Sequence, residues 1–488
     1  MKKILLFAAL GLSILATSCS KNTVDPGTGP IVDPGTGGST SVTVSADITT
    51  ATTWTADKIY LLKGNIFVTN NATLTIQPGT IIKGDKATKG ALIVTRGAKI
   101  DATGTVDKPI VFTSNQSVGA RAQGDWGGVI LLGKAPNNAG TAIAIEGISD
   151  ATDKGKHGGT DAADNSGTMK YVRIEYAGIP LSPDNEINGL TFGSVGSGTT
   201  IDFIEVYRSG DDAFEWFGGT VNAKHLLAID TWDDDFDTDN GFSGKIQFGL
   251  AQRLAATADV SGSNGFESDN NSTGTNATPI TSSVFSNMTI LGPREFLTGG
   301  PSINANFQHG AQIRRNSSIS IFNSVIAGYT EGVFYDDALP AGSTANSSTN
   351  FTTGASVFAN NIIAASNSKS NQIKASSTAT LALITPLLTA NNSFLPDVFA
   401  AAIYTDPYKF SADLAGTTSG VNRAGIPNFT QVSTSVALTG AAFTNAKVTD
   451  AFFDKVAYKG AFGTTDWTSG WASFDPQNLP YTTPGAVK

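Results

Sequence analysis

Cysteine is almost missing from this chain: 488 residues contain a single one, Cys19. Disulfide frameworks and cysteine-based zinc sites are thereby excluded. Histidine is scarce as well, and His157, His225 and His309 are too dispersed along the chain to suggest a zinc cluster. Charged residues make up 15% against roughly 25% in ordinary soluble domains. The charge that is present is lopsided, with 32 Lys+Arg against 41 Asp+Glu and a formal net charge of −9. No basic stripe interleaved with aromatics appears, so nucleic acid is not an expected partner. After Leu15 no long apolar run follows, and nothing in the later chain reads as a transmembrane helix. Helical periodicity is nearly absent before residue 380.

The first residues read as an address. Lys2 and Lys3 precede an apolar stretch from Ile4 to Leu15, of the length of a secretory signal core. It ends in Leu15–Ala16–Thr17–Ser18–Cys19. This resembles the lipobox of bacterial lipoproteins, with Ala16 where leucine is commoner. The resemblance implies removal of residues 1–18 and lipidation of Cys19, hence a firm membrane anchor. Residues 19–40 carry Val24–Asp25–Pro26–Gly27–Thr28–Gly29 and a near copy, Val32–Asp33–Pro34–Gly35–Thr36–Gly37. Proline and glycine at that density build no core, so a flexible tether is expected.

From 41 onward the chain is a series of short strands. Ile66–Phe67–Val68, Ala72–Thr73–Leu74–Thr75–Ile76, Ile81–Ile82 and Ala91–Leu92–Ile93–Val94 are β-branched runs separated by a few turn residues. Phrases also recur at longer range. Ala213–Phe214–Glu215–Trp216 aligns with Asp235–Phe236–Asp237–Thr238 at 22 residues, and with Gly265–Phe266–Glu267–Ser268 after 30 more. A period of that size is one coil of a solenoid. The expected fold is all-β, a right-handed parallel β-helix (β-solenoid) over 41–366. Irregular coils and a C-terminal cap with short helices should occupy 367–488. Leu381 to Leu388, Val398 to Tyr404 and a segment from Thr449 are the helix candidates, and Trp467, Trp471 and Phe474 are expected to cover the open solenoid end. Phe214, Phe236 and Phe266 should stack inside, and asparagines at strand corners should take left-handed bends.

Several phrases then carry a family resemblance. Leu74–Thr75–Ile76–Gln77–Pro78–Gly79–Thr80–Ile81–Ile82–Lys83–Gly84, Pro109–Ile110–Val111–Phe112–Thr113–Ser114 and Gly124–Asp125–Trp126–Gly127–Gly128 are three of them. With the tail motif Asp466–Trp467–Thr468–Ser469–Gly470–Trp471, they resemble right-handed parallel β-helix lipoproteins of the bacteroidete outer membrane. The resemblance implies a cell-envelope location and work beside an outer-membrane transporter. It implies little about activity.

One constellation stands out chemically. Asp211, Asp212, Glu215, Asp233, Asp234, Asp235, Asp237, Asp239, Glu267 and Asp269 fall on the three aligned coils. If the phenylalanines point inward, Glu215, Asp237 and Glu267 form one outward ladder, and Asp239 with Asp269 a second. Like charges about 4.8 Å apart repel by roughly 3 kcal/mol at an effective dielectric of about 20. A bound hard cation relieves this, and calcium, which takes six to eight oxygens, is the expected one. Asp235–Phe236–Asp237–Thr238–Asp239 resembles the start of an EF-hand loop, but Asn240 and Ile246 occupy positions where that loop needs glycine and a bidentate acid. A solvated acidic face without metal is the simpler alternative.

No coherent catalytic set is legible. Asp211–Asp212 and His309–Gly310 with Arg314–Arg315 resemble fragments of a polygalacturonase motif set, but they lie several coils apart. Arg208, Lys224 and Arg253 stand near the acids as potential lyase bases or as charge balance. Gly193–Ser194–Val195–Gly196–Ser197–Gly198 reads as a turn with no partner set for its serine, and 155–164 as a solvent loop between coils. The expectation is a non-catalytic envelope lipoprotein that binds a glycan or a protein partner along the side of the helix. A calcium-dependent polysaccharide lyase or glycoside hydrolase, and an adhesin, remain the rivals.

Overall fold

The structure, a computed structural model, describes residues 40–148, 152–182, 185–296, 302–338, 346–366, 372–409 and 425–488. The expected signal segment 1–18, the lipidation site Cys19 and the tether up to residue 39 lie outside these residues.

The described chain is a right-handed parallel β-helix of three sheets. Each coil places one strand in each sheet, and each strand pairs in parallel with the same strand of the next coil. Thr52–Trp54, Thr73–Ile76 and Lys99–Thr103 open the first sheet. Ile59–Leu62, Ile81–Gly84 and Ile110–Ser114 open the second. Asn65–Val68, Ala91–Val94 and Gly128–Leu132 open the third. The parallel ladder continues to Ser393–Leu395, well past the expected boundary at 366. Coils of this kind cannot bury an apolar face alone, so one continuous core runs from Ile48 to Leu388.

In the middle coils, sheets one and two are joined without a break. Gly167–Glu175, Thr200–Tyr207, Asn222–Ile229 and Lys245–Gln252 each turn the corner at one left-handed residue: Tyr171, Phe203, His225 and Phe248. The register places these above one another. Asn287, Asn323 and Asn360 take the same corner later. The asparagines are the expected solution, since a short polar side chain tolerates that backbone. The rings are not, but they stack outside the corner, with centroids 4.5 Å apart for Tyr171–Phe203 and 4.1 Å for Phe203–His225.

The C-terminal segment does not close an open end. It runs back along the outside of sheet two as a strap, opposite to the direction of coil growth. Asn323 bonds both the N–H and the carbonyl of Ala442, and Gln247 does the same for Asp454. Further along, Trp467 and Trp471 pack edge-on against Phe203 of the corner stack. Tyr481 and Val487 finally reach Ile59, Ile81 and Val111 of the earliest coils. The strap explains why sheet two lacks a polar face: Leu227, Leu250, Val325 and Ile362 are covered by Phe429, Phe462, Trp471 and Phe474. The tryptophans therefore cover a sheet face and not the expected solenoid end.

Where the last strands finish, a 14-residue helix, Thr378–Asn391, sets Ile384 and Leu388 into the core. Ser377 caps it, accepting from the Thr380 N–H at 3.0 Å. The helix contains the expected Leu381–Leu388. Val398 to Tyr404 holds only the short turn Ala400–Ala402 and the start of a strand, Tyr404–Asp406. No helix begins at Thr449, because the turn Ala446–Val448 already ends there.

Beneath the strap lies a buried charge cluster. Arg173 and Glu205 are neighbours in register, and Glu205 accepts the Ser473 N–H at 2.9 Å. Tyr481 donates to Glu175 at 2.8 Å, and Arg173 donates to the Tyr481 hydroxyl at 3.0 Å. Burial raises the Glu205 carboxyl to about 8, with Arg173 and the Ser473 N–H pulling down and Glu175 pushing up. A carboxyl raised on folding stabilises the fold below its unfolded value near 4.5 and loses that contribution as pH rises through about 8. Hydrogen-exchange protection factors in 466–488, taken relative to the intrinsic rate at each pH, should therefore be larger at pH 5 than at pH 9, and Glu205→Gln should flatten the difference. Protection that does not change with pH in the native chain would refute this account.

Candidate functional site

The ladders stand where the aligned phrases place them. Phe214 pairs with Phe236, and Phe236 with Phe266. All three rings are buried, with centroids 5.7 Å apart at each step. On the other face of the same strands, Glu215, Asp237 and Glu267 follow in register, bounded by Thr191 before and Gln312 after. Truncating Phe236 to alanine removes the middle ring, and about 3–5 kcal/mol of stability should go with it. Denaturant unfolding measures the loss.

A further column lies in the turns that enter these strands. The Asp212 carboxylate accepts the Asp234 N–H at 2.8 Å. The Asp234 carboxylate accepts the Asn264 N–H at 2.5 Å, and the Asn264 side chain accepts the His309 N–H at 3.0 Å. Each side chain thus tethers the next coil. No donor among the described residues reaches the second oxygen of Asp212 or Asp234.

These columns converge in three overlapping triads: Asp211, Asp212 and Asp233; Asp212, Glu215 and Asp237; Asp234, Asp237 and Glu267. Within each, carboxylate oxygens lie within 4.8 Å of one another. Burial is the first cause that raises every one of these carboxyls, and the neighbouring carboxylates add to it. Asp233 is pushed up to about 6 and Glu267 to about 8, the latter against the pull of Arg314. Asp239, outside the triads but beside Asp269, is pushed up to about 7.

Three sequence expectations change here. First, the acids are only partly open to water: Asp212, Glu215, Asp234, Asp235 and Asp269 are buried, and Asp211, Asp233, Asp237, Asp239 and Glu267 are half-buried. Residues 133–148 and 152–165 fold over sheet three, where Ile145 and Ile148 pack with Ile130, Leu132 and Phe217. Asn188 donates to Glu215 from the side, and Asn138 reaches Pro279. The supposed solvent loop 155–164 is part of this cover, and His157 within it is buried. Second, Asp235 does not join the triads. It is fully buried, 2.9 Å from Arg253, and accepts from the Tyr329 hydroxyl at 3.0 Å. Third, Asp269 is held by Arg314 and Arg315, at 2.9 and 2.6 Å, and Arg314 also binds Glu267. Asp269 therefore closes the tract as an ion pair and is not a triad member.

The other candidates resolve into packing and charge balance. Arg208 pairs with Asp230 at 3.3 Å, and Lys224 with Asp454 at 2.7 Å. Asp212 and His309 do share a column, but three coils separate them, about 14 Å at the usual strand spacing. His309 is no exposed turn histidine: it is buried, with Nδ1 2.7 Å from Glu331. Ser194 does have partners, which its local sequence did not reveal. Its hydroxyl lies 2.9 Å from His157 Nδ1 and accepts from Asn137 at 2.9 Å. Burial, with Arg96 adding, lowers the His157 pKa to about 3. Ser194 and His157 are both sealed from solvent, so a serine-reactive fluorophosphonate should leave Ser194 unlabelled in the folded chain. Labelling there, read by mass spectrometry, would overturn the structural reading of this pair.

A family model described as a pectate-lyase-like β-helix domain matches residues 46–397. The chain belongs to that family. No curated protein matches it. Among solved structures, the Dettilon tailspike protein (gp208) aligns at 11% identity with a TM-score of 0.22. That alignment covers 70% of this chain and 63% of the tailspike chain, so less than two thirds of the tailspike's length is spanned.

Proposed function

We propose that this protein is a lipid-anchored cell-envelope β-helix that holds calcium-type cations along the acid tract and presents that face to a glycan or a protein partner. The observation that carries the reading is the set of three overlapping carboxylate triads. Two of their oxygens, Asp233 Oδ1 and Asp237 Oδ1, are buried without a hydrogen-bond partner. An unsatisfied buried carboxylate oxygen is costly, and a hard cation is the partner that an all-oxygen donor set suits. Repulsion among the acids is then turned into ligation.

The lipid anchor rests on the lipobox resemblance around Cys19, and the outer-membrane setting on the resemblance of 50–480 to bacteroidete lipoproteins. The family match favours one second reading, a calcium-dependent polysaccharide lyase. Such an enzyme needs a basic residue able to take a proton beside the cation. Arg314 stands nearest in position, but burial works against its charge while Glu267 and Asp269 more than offset this, so its pKa is raised, away from a base. Binding without turnover is therefore the leading reading.

Melting curves test the cation. The raised carboxyls make the metal-free chain more stable at pH 5 than at pH 8, because stability is lost as pH rises through the values near 6 and 8 of Asp233 and Glu267. Calcium at pH 8 should raise Tm and remove most of that difference, and EDTA should restore it. Asp237→Asn should raise the metal-free Tm and shrink the calcium shift. An unchanged Tm with calcium refutes the site. For the anchor, Cys19→Ala should move the protein from the membrane pellet to the soluble fraction.

A further inference from the structure

The tract has an apolar shelf that cation chemistry alone does not explain. Trp232 is 38% exposed and immediately precedes Asp233. Its indole N–H donates to the Ala258 carbonyl at 3.2 Å, so the ring is fixed. The loop that fixes it also serves the acids: the Ser261 hydroxyl donates to Asp233 at 2.6 Å, and the Asp259 N–H donates to the Trp232 carbonyl at 3.0 Å. Val260, 89% exposed, stands on the same loop. An exposed tryptophan locked beside a polar site is unusual surface for a protein with no ligand there.

The second observation concerns charge. The three triads contain seven different carboxylates, so a dication in each would supply six positive charges and leave no positive surplus. Asp259 adds to the negative field at Asp211, as do Glu146 and Glu186. The ion pairs described at the tract lie at its far end, where Arg314 and Arg315 bind Glu267 and Asp269. Even loaded with cation, this surface does not attract a polyanion.

The third concerns open coordination. Asp212 and Asp234 are each more than nine-tenths buried and commit one oxygen to the next coil's N–H. The other oxygen meets no donor among the described residues. The Asp211, Asp212 and Asp233 triad thus offers a cation a few oxygens, fewer than the six to eight that calcium takes, and the rest must come from outside the chain.

We infer that this triad and Trp232 together form a subsite for an uncharged saccharide. A pair of adjacent hydroxyls on the sugar completes the cation's oxygen shell, and the apolar C–H face of the sugar ring lies on the indole. The inference rests on the cation reading above. It departs from an acidic glycan, which the surplus of carboxylates disfavours.

Immobilised full-length protein with calcium should retain neutral polymers with adjacent hydroxyls (mannan, dextran or xylan) and not polygalacturonate or alginate. EDTA should release them. Trp232→Ala should weaken retention about tenfold or more, as loss of an aromatic anchor does, and leave the calcium shift in Tm intact. Stronger retention of the uronate polymers, or unchanged retention by Trp232→Ala, overturns the inference. A normal calcium shift with no neutral polymer retained overturns it alone, while loss of the calcium shift in the native chain removes the cation reading beneath it.

Discussion

Register is the constraint on which this structure depends. Successive coils lie directly over one another, so a residue in one coil meets its counterpart in the next at the strand spacing of about 4.8 Å. That single rule stacks Phe214, Phe236 and Phe266 inside. It also aligns Glu215, Asp237 and Glu267 outside. The attractive column and the repulsive column are the same strands seen from two sides. A one-residue slip would exchange them, placing carboxylates in the core and rings in the acid tract. The packing of the phenylalanines therefore holds the carboxylates together against their repulsion.

Much of this was legible because a solenoid writes its contacts into a repeat. Spacings of 22 and 30 residues predict the pairings of Phe236 on both sides, and strands such as Ala91–Val94 coincide with β-branched runs. What the repeat does not contain was not legible. The strap is a single, non-repeating segment, and its docking to Gln247 and Asn323 joins residues far apart in the chain. An aromatic-rich tail looks alike whether it covers an end or a side. Its one sequence trace is indirect: the later strands of sheet two, such as Val325–Ala327, are apolar on both faces, which implies cover on both. The same holds for 133–148 and 152–165, whose polar composition hides their role as a cover over sheet three.

Within the acid tract, sequence reasoning identified the members but not their division of labour. Asp235 lies next to Phe236 as Asp237 does, yet one is paired with Arg253 and the other stands among carboxylates in two of the triads. The difference comes from which long side chain reaches each position, and Arg253 and Arg314 arrive from other coils. Ser194 shows the converse. It lies in the strand Leu190–Val195 and not in the expected turn, and its partners His157 and Asn137 come from the inserted cover. Pairings across an insertion carry no fixed period, so no spacing argument could find them.

Two of the buried charge clusters among the described residues balance their charge differently, and the contrast bears on function. Under the strap, Glu175 and Glu205 are buried beside Arg173, and Tyr481 and the Ser473 N–H supply hydrogen bonds. The balancing cation and several donors come from the chain, which suits a cluster that holds two surfaces together, although Glu175 Oε2 and Glu205 Oε1 have no hydrogen-bond partner. On sheet three the acids are more numerous, and among the described residues arginine forms ion pairs with Asp235, Glu267 and Asp269 alone of them. A chain able to place Arg173 against Glu205 could equally place a basic residue between Asp212 and Asp237. Thr191 and Gln312, in register on either side of the acids, show how readily the same column carries neutral residues. Leaving carboxylates partly buried and adjacent is then a cost that the tethers from Asp212 and Asp234 offset only in part. That cost has a physical rationale if the balancing charge is meant to come from solution.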